Sequence, residues 1–98
     1  MQYPATSKVT TADNVLVRII RSEAVLLNLK SEEYLGLNPV GTRMWTVLNE
    51  SPSIEAAYES LLKEYEVDPE TLRSDLEELL DQLVERGLVE VGANGASG

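Results

Sequence analysis

The 98-residue sequence contains no cysteine and no histidine. Disulfides, thiolate nucleophiles, cysteine-histidine zinc sites and imidazole proton shuttles are therefore excluded. Carboxylates, hydroxyls and lysines remain for chemistry, and they form no convergent set, so composition argues against an enzyme and implies no cofactor or metal. No run of about 18 apolar residues is present, which excludes a transmembrane helix. The first twelve residues lack the basic start and apolar stretch of a secretory signal, and a cytoplasmic location is expected. Basic residues are scarce in the second half. Residues 1–48 carry five basic and four acidic side chains, whereas residues 49–98 carry three basic and thirteen acidic, and the whole chain has a net charge of −9. An acidic half repels phosphate backbones and anionic lipid. Apolar residues make up 43%, an ordinary share for a globular protein, and the length is that of one domain.

Residues 1–14 are polar and aperiodic and read as a flexible N-terminal arm. "VLVRIIR" (Val15 to Arg21) is rich in β-branched residues, with Val17 and Ile19 on one face and Leu16, Arg18 and Ile20 on the other. In "AVLLNL" (Ala24 to Leu29), Val25, Leu27 and Leu29 share one face and Asn28 lies on the opposite one. Ser22-Glu23 is short enough for a hairpin, although Asn-Gly is missing. A third strand, Tyr34 to Leu37, follows a polar turn. Short polar connections between three strands predict an antiparallel meander.

The period then changes. Asn38 is a helix cap and Pro39 suits the first helical position, where a missing N–H costs nothing. Val40, Met44, Val47 and Leu48 form an apolar stripe with Trp45 beside it. Ser51-Pro52-Ser53 interrupts and caps again. Ile54, Ala57, Tyr58, Leu61, Leu62 and Tyr65 recur at helical spacing. Asp68-Pro69 opens a third helix with Leu72, Leu76, Leu79, Leu80, Leu83 and Val84 over an arc of roughly 140°, wider than one packing seam needs. Gly87 ends it, "LVEV" (Leu88 to Val91) adds a short extended segment, and residues 92–98 read as a disordered tail. The fold class is α+β and winged-helix-turn-helix-like: a three-stranded antiparallel sheet followed by three helices, with the ordered domain at 15–91.

The third helix is not a DNA reader. Glu70, Asp75, Glu77, Glu78, Asp81 and Glu85 outnumber Arg73 and Arg86, and such a helix is repelled by a polyanion; no nucleic acid and no membrane is expected as a partner. Glu77, Glu78 and Asp81 could be taken for a metal or acid–base cluster, but acidic residues on a helix without histidine usually form a solvated face. Met44 and Trp45 could line a pocket; spacing with Val40 and Leu48 favours the core for Met44, whereas the indole of Trp45 is of a kind that often ends partly exposed. The strand at Glu33 to Leu37 is different. A strand so short suits a sheet edge. Beside a helix with a wide apolar arc it makes a groove with two recognition surfaces, backbone groups for an added strand and apolar pockets for alternate side chains. A dimerisation module using the same edge is the alternative from a different class.

"AVLLNLKSEEYLGLNPVGTRMWTVL" and "SIEAAYESLLKEYEVDPETLRSDLEELLDQLVERGLVE" resemble the PqqD-like family of RiPP recognition elements, small domains that bind leader segments of ribosomally made peptides. The similarity is carried by Tyr34-Leu35-Gly36-Leu37-Asn38-Pro39-x-Gly41-Thr42, Trp45, the Tyr65-x-Val67-Asp68 lead-in to the third helix, Arg73-x-Asp75, and Leu83 with Gly87-Leu88. The "LNPVGTRMW" block and the length are most similar to the stand-alone members of lasso-peptide biosynthesis; members handling the precursor of pyrroloquinoline quinone are the runner-up. The resemblance implies a precursor leader peptide as partner, adding as a strand along Glu33, Tyr34, Leu35, Gly36 and Leu37 and lying against Leu72, Asp75, Leu76 and Leu79 of the third helix. It also implies a second partner, the leader protease or another maturation enzyme.

Overall fold

A computed structural model describes residues 3–93. The elements run β1 (Ser7–Thr11), β2 (Val15–Ile20), β3 (Glu23–Asn28), β4 (Tyr34–Gly36), α1 (Pro39–Glu50), α2 (Ile54–Glu64), α3 (Pro69–Glu85) and β5 (Val89–Ala93). Among the described residues the strands form two antiparallel sheets, β2-β3-β4 and β1-β5. The meander followed by three helices is the expected α+β, winged-helix-like order.

Each helix starts where local chemistry dictates. The side chains of Asn38, Ser53 and Asp68 accept from the backbone N–H of Gly41, Ala56 and Thr71, and Pro39 and Pro69 occupy first-turn positions without a wasted donor. α3 closes in a Schellman turn: Leu88 N donates to Leu83 O (2.9 Å) and Gly87 N to Val84 O (3.0 Å), with Gly87 at φ +67°. The wide arc of α3 is accounted for by burial: Leu72, Leu76, Leu79, Leu80 and Leu83 all lie in the core, and Val84 stays exposed. On the surface, the Arg43 guanidinium bridges α1 to Glu64 of α2 at 2.8 Å, and this hydrogen bond holds the Glu64 carboxyl below its ordinary pKa.

The sequence reading is corrected at its two ends. The N-terminal arm is not loose throughout. β1 pairs with β5 in the register Val9↔Val91, Val9 is buried in the core, and Tyr3 donates to Asp81 Oδ1 of α3 (3.0 Å). Lys8 donates to Asn49 O (2.6 Å) and Ser51 O (2.7 Å), placing a cation on the carbonyls at the end of α1, where the helix dipole favours it. β5 takes in Gly92 and Ala93 from the segment read as tail; residues 94–98 lie outside the described residues.

The alternation read in Ala24 to Leu29 holds, with the Asn28 face turned inward. In β3 the buried face is Ala24, Leu26 and Asn28, while Val25 and Leu29 are exposed. A buried asparagine is tolerable only if its amide is satisfied, and Asn28 is. Its Oδ1 accepts from Lys30 N (2.9 Å), Ser31 N (3.2 Å) and Asn14 Nδ2 (2.6 Å), and its Nδ2 donates to Arg86 O (3.0 Å) and Gly87 O (3.3 Å). One side chain thus ties the β3–β4 turn to the end of α3. A Cβ at position 87 would sit 2.8 Å from Asn28 Nδ2, so glycine is required there for space as well as for its positive φ. Asn28→Ala removes the shared partner of several part-buried donors and acceptors and is expected to cost about 2–3 kcal/mol, a fall of roughly 10–20 °C in melting temperature. A melt within a few degrees of the parent would show that the hub is dispensable.

Candidate functional site

The site begins where the chain leaves the sheet. Leu37 N donates to Ala24 O (2.8 Å), continuing the β3–β4 ladder one residue past β4. The reciprocal bond is replaced by a side chain: the buried Thr42 hydroxyl accepts from Ala24 N (2.9 Å) and donates to Leu37 O (3.3 Å). Asn38 caps α1 through Gly41 N (2.7 Å). A Cβ on Gly41 would lie 3.2 Å from Asn38 Oδ1 and 3.5 Å from Leu37 Cβ, so the smallest residue lets the helix start hard against the strand. The Leu37-Asn38-Pro39-x-Gly41-Thr42 block is therefore a device for ending a strand and starting a helix within two residues.

That device leaves one side of β4 open. In an antiparallel ladder the backbone groups of alternate residues point to opposite neighbours. Glu33 O accepts from Asn28 N (2.8 Å), Leu37 N bonds Ala24 O, and Leu35 is registered on Leu26. Residues 33, 35 and 37 thus address β3, and the N–H and C=O of Tyr34 and Gly36 point outward. The strand order β2-β3-β4 makes β4 an edge.

Beside this edge lies a slot of about 250 Å³ between the β4–α1 junction and α3. Gly36, Leu37, Asn38, Gly41 and Met44 line one side, and Asp75, Glu78, Leu79 and Gln82 the other. Leu37, Met44 and Leu79 make its floor apolar, while the exposed Asp75 and Glu78 make its α3 flank acidic. The arrangement offers hydrogen-bonding backbone on one wall, greasy contact below, and negative charge opposite.

The expected site residues divide accordingly. Gly36, Leu37, Asp75 and Leu79 meet at the slot. Tyr34 stands on the edge, 67% exposed, on the outer face of the sheet opposite Leu27. Leu35 turns its half-buried side chain to the core, and Glu33 precedes the strand. Leu72 and Leu76 are 2% and 0% exposed, and neither lines the slot: they are core residues one step around the helix, and the α3 wall is the row 75, 78, 79 and 82 instead. Glu78, Gln82, Asn38, Gly41 and Met44 were not anticipated there. Asp75, Glu78, Leu79 and Gln82 stand at i, i+3, i+4 and i+7, so the spacing was available, but apolar periodicity marks the core and passes over a polar wall. Met44 is buried, in agreement with a core role, and also touches the slot. Trp45 packs at the core margin with its indole N–H shielded and unbonded. Among the described residues no group of three acidic side chains is placed to hold a metal, and no helix is long and apolar enough to cross a membrane.

An open three-residue edge held across a slot from a long helix, in a small winged-helix-like domain, leaves unpaired backbone groups beside a partly apolar cleft. The chain belongs to the PqqD family: the family described as coenzyme PQQ synthesis protein D matches residues 23–89. Two solved structures are similar along most of their length. One is TbiB1 in complex with the TbiA(beta) leader peptide, 36% identical, with a TM-score of 0.73 over 83% of this chain and 94% of that one. The other is lasso peptide synthetase B1 complexed with the leader peptide, 26% identical, with a TM-score of 0.72 over 85% and 98%. No curated protein matches the chain significantly.

Proposed function

We propose that this protein binds the leader segment of a ribosomally synthesised precursor peptide as an added strand on β4, against α3, and presents it to the maturation enzymes of a lasso-peptide pathway, the leader protease or cyclase. The observation that carries the reading is the pair of outward-facing backbone units at Tyr34 and Gly36 beside the apolar-floored slot. Backbone pairing sets register there, and side chains on alternate leader residues enter the slot. Two structural relatives that hold leader peptides support it. The edge is the one expected from sequence, Glu33 to Leu37; on the α3 side the contacts fall to Asp75, Glu78, Leu79 and Gln82, with Leu72 and Leu76 supporting them from the core.

The protein acts without turnover of its own, in the cytoplasm where precursors are made, and takes neither cofactor nor nucleic acid. A second reading, chaperone for the pyrroloquinoline quinone precursor, is favoured by the description of the family, whereas the similar solved structures favour the lasso pathway.

Fluorescence anisotropy with labelled leader peptides of lasso precursors, the TbiA(beta) leader among them, tests the proposal. A dissociation constant between about 1 μM and 1 nM is expected, equivalent to roughly −8 to −12 kcal/mol, and the precursor mass should be unchanged after incubation with the protein alone. Absence of binding at about 100 μM protein, some two decades above the weak end of that range, would refute it.

A further inference from the structure

β4 is not the only open edge. β2 pairs with β3 on one side, and among the described residues no strand pairs with the other. The ladder assigns the free groups. Asn28 addresses β4 through its N–H to Glu33 O, so its neighbours in β3 alternate, and Leu29 N donates across to Asn14 O (2.8 Å). In the register Val15↔Asn28, Val17↔Leu26 and Ile19↔Ala24, residues 15, 17 and 19 turn their backbone groups away from β3. Val15 N is engaged by Ala12 O (3.2 Å); both groups of Val17 and Ile19, and the carbonyl of Val15, face solvent.

This edge lacks the devices that normally keep edges from pairing. It has no proline, no lysine and no bulge, and its six residues, "VLVRII", contain one charge. Its apolar side chains are unusually bare: Leu16 is 46% exposed, Ile19 56% and Ile20 64%. High β-propensity, low charge and absence of proline are the properties of a strand that pairs with another copy of itself.

We infer that β2 is a homodimer interface, in which the β2 strands of two copies pair antiparallel about Val17 to form a continuous six-stranded sheet. Self-pairing centred on Val17 sets Val17 against the second copy's Val17 and Val15 against the second copy's Ile19. The Val17 pair then exchanges both of its hydrogen bonds, each Ile19 N–H meets the second copy's free Val15 carbonyl, Val15 N keeping its bond to Ala12 O, and the bare Ile19 side chain gains an apolar neighbour on the same sheet face. The contact is isologous, so it closes at two copies rather than growing into a fibre. Charge agrees with this occupant. The second half of the chain holds thirteen acidic and three basic residues, so copies approaching through it repel, whereas β2 carries only Arg18, placed opposite the second copy's Leu16. Both β4 edges remain free at the two ends of the joined sheet. Edge pairing buries less area than the roughly 1,600 Å² of a standard interface, so the dimer is concentration-dependent.

Sedimentation equilibrium over about 5–500 μM, spanning the weak range expected for so small an interface, is the test. The parent chain should move from the monomer mass toward twice that value. Ile19→Lys, at an exposed position where it does not disturb the core, should raise the dimer dissociation constant at least tenfold, and Val17→Pro, which removes the outward N–H at the two-fold axis, should do the same. Parallel melts show that each variant is folded. A parent that stays monomeric throughout, or a dimer that Ile19→Lys leaves intact, overturns the inference. Saturation with the TbiA(beta) leader should leave the dimer mass increased by two peptides; dissociation to monomers on leader binding would place the interface at β4 and overturn it as well. Failure here leaves the leader-binding proposal standing, because that proposal uses the other edge.

Discussion

Gly36→Pro is expected to weaken leader binding at least a hundredfold, about 3 kcal/mol, and to leave the domain folded. The N–H of Gly36 points away from β3, so in the free protein it meets only solvent, and proline is tolerated on an edge strand at such a position. Leu35, which precedes it, is already extended, as the residue before a proline must be. The thermal melt should therefore shift by less than about 1 kcal/mol in stability, the usual range for edge substitutions outside the ladder. The effect on binding is far larger. The ring removes a donor from the new ladder and occupies the place of the incoming backbone, so affinity should fall at least a hundredfold, about 3 kcal/mol. Gly36→Ala separates the two consequences. A Cβ at this position meets nothing within 4 Å, and it projects on the sheet face of Val25, its registered partner, not into the path of the added strand. That variant keeps the N–H and should bind within about threefold of the parent, below 1 kcal/mol. A proline variant that folds and binds normally would show that the leader does not pair at Gly36.

Leu76→Glu is expected to unfold the protein rather than empty the groove. Leu76 is 0% exposed and shares the core with Leu72, Leu80 and Leu83. A carboxylate forced into that position has no partner, and either its charge or its protonation is penalised by several kcal/mol on top of the lost packing. A domain of this size has a total stability of roughly 5–15 kcal/mol, so the cooperative melt should be lost or its midpoint reduced by more than 20 °C, at about 4–8 °C per kcal/mol. Glu78→Ala and Gln82→Ala, on exposed or half-buried positions of the same helix, should leave the melt within about 0.5 kcal/mol of the parent, as surface substitutions usually do, while changing leader affinity. A folded Leu76→Glu domain with weakened binding would return that residue to the groove wall.

The contrast between these substitutions reflects what the sequence carried. Helix starts were legible because their chemistry is local: Asn38-Pro39, Ser53 and Asp68-Pro69 are each cap and first turn within two residues. The edge strand was legible because Tyr34 to Leu37 is too short for a sheet centre and sits directly before a cap. β1 was not, because its only deeply buried apolar residue is Val9 and its partner β5 lies some eighty positions away in the chain. The alternation of β3 was legible, but not which of its faces is buried, because Asn28 is a polar residue whose burial depends on carbonyls contributed by Arg86 and Gly87. On α3 the periodicity identified the leucines that make the core, and for that reason it pointed past the polar row at 75, 78 and 82 that forms the exposed wall.

The most direct measurement is residue-resolved amide hydrogen exchange by ¹⁵N NMR, with and without saturating leader. Strand addition predicts that the amides of Tyr34 and Gly36 exchange freely in the free protein and become protected at least tenfold on binding, while Leu35 and Leu37, already addressed to β3, change little. Leader binding that leaves Tyr34 and Gly36 unprotected would contradict the account.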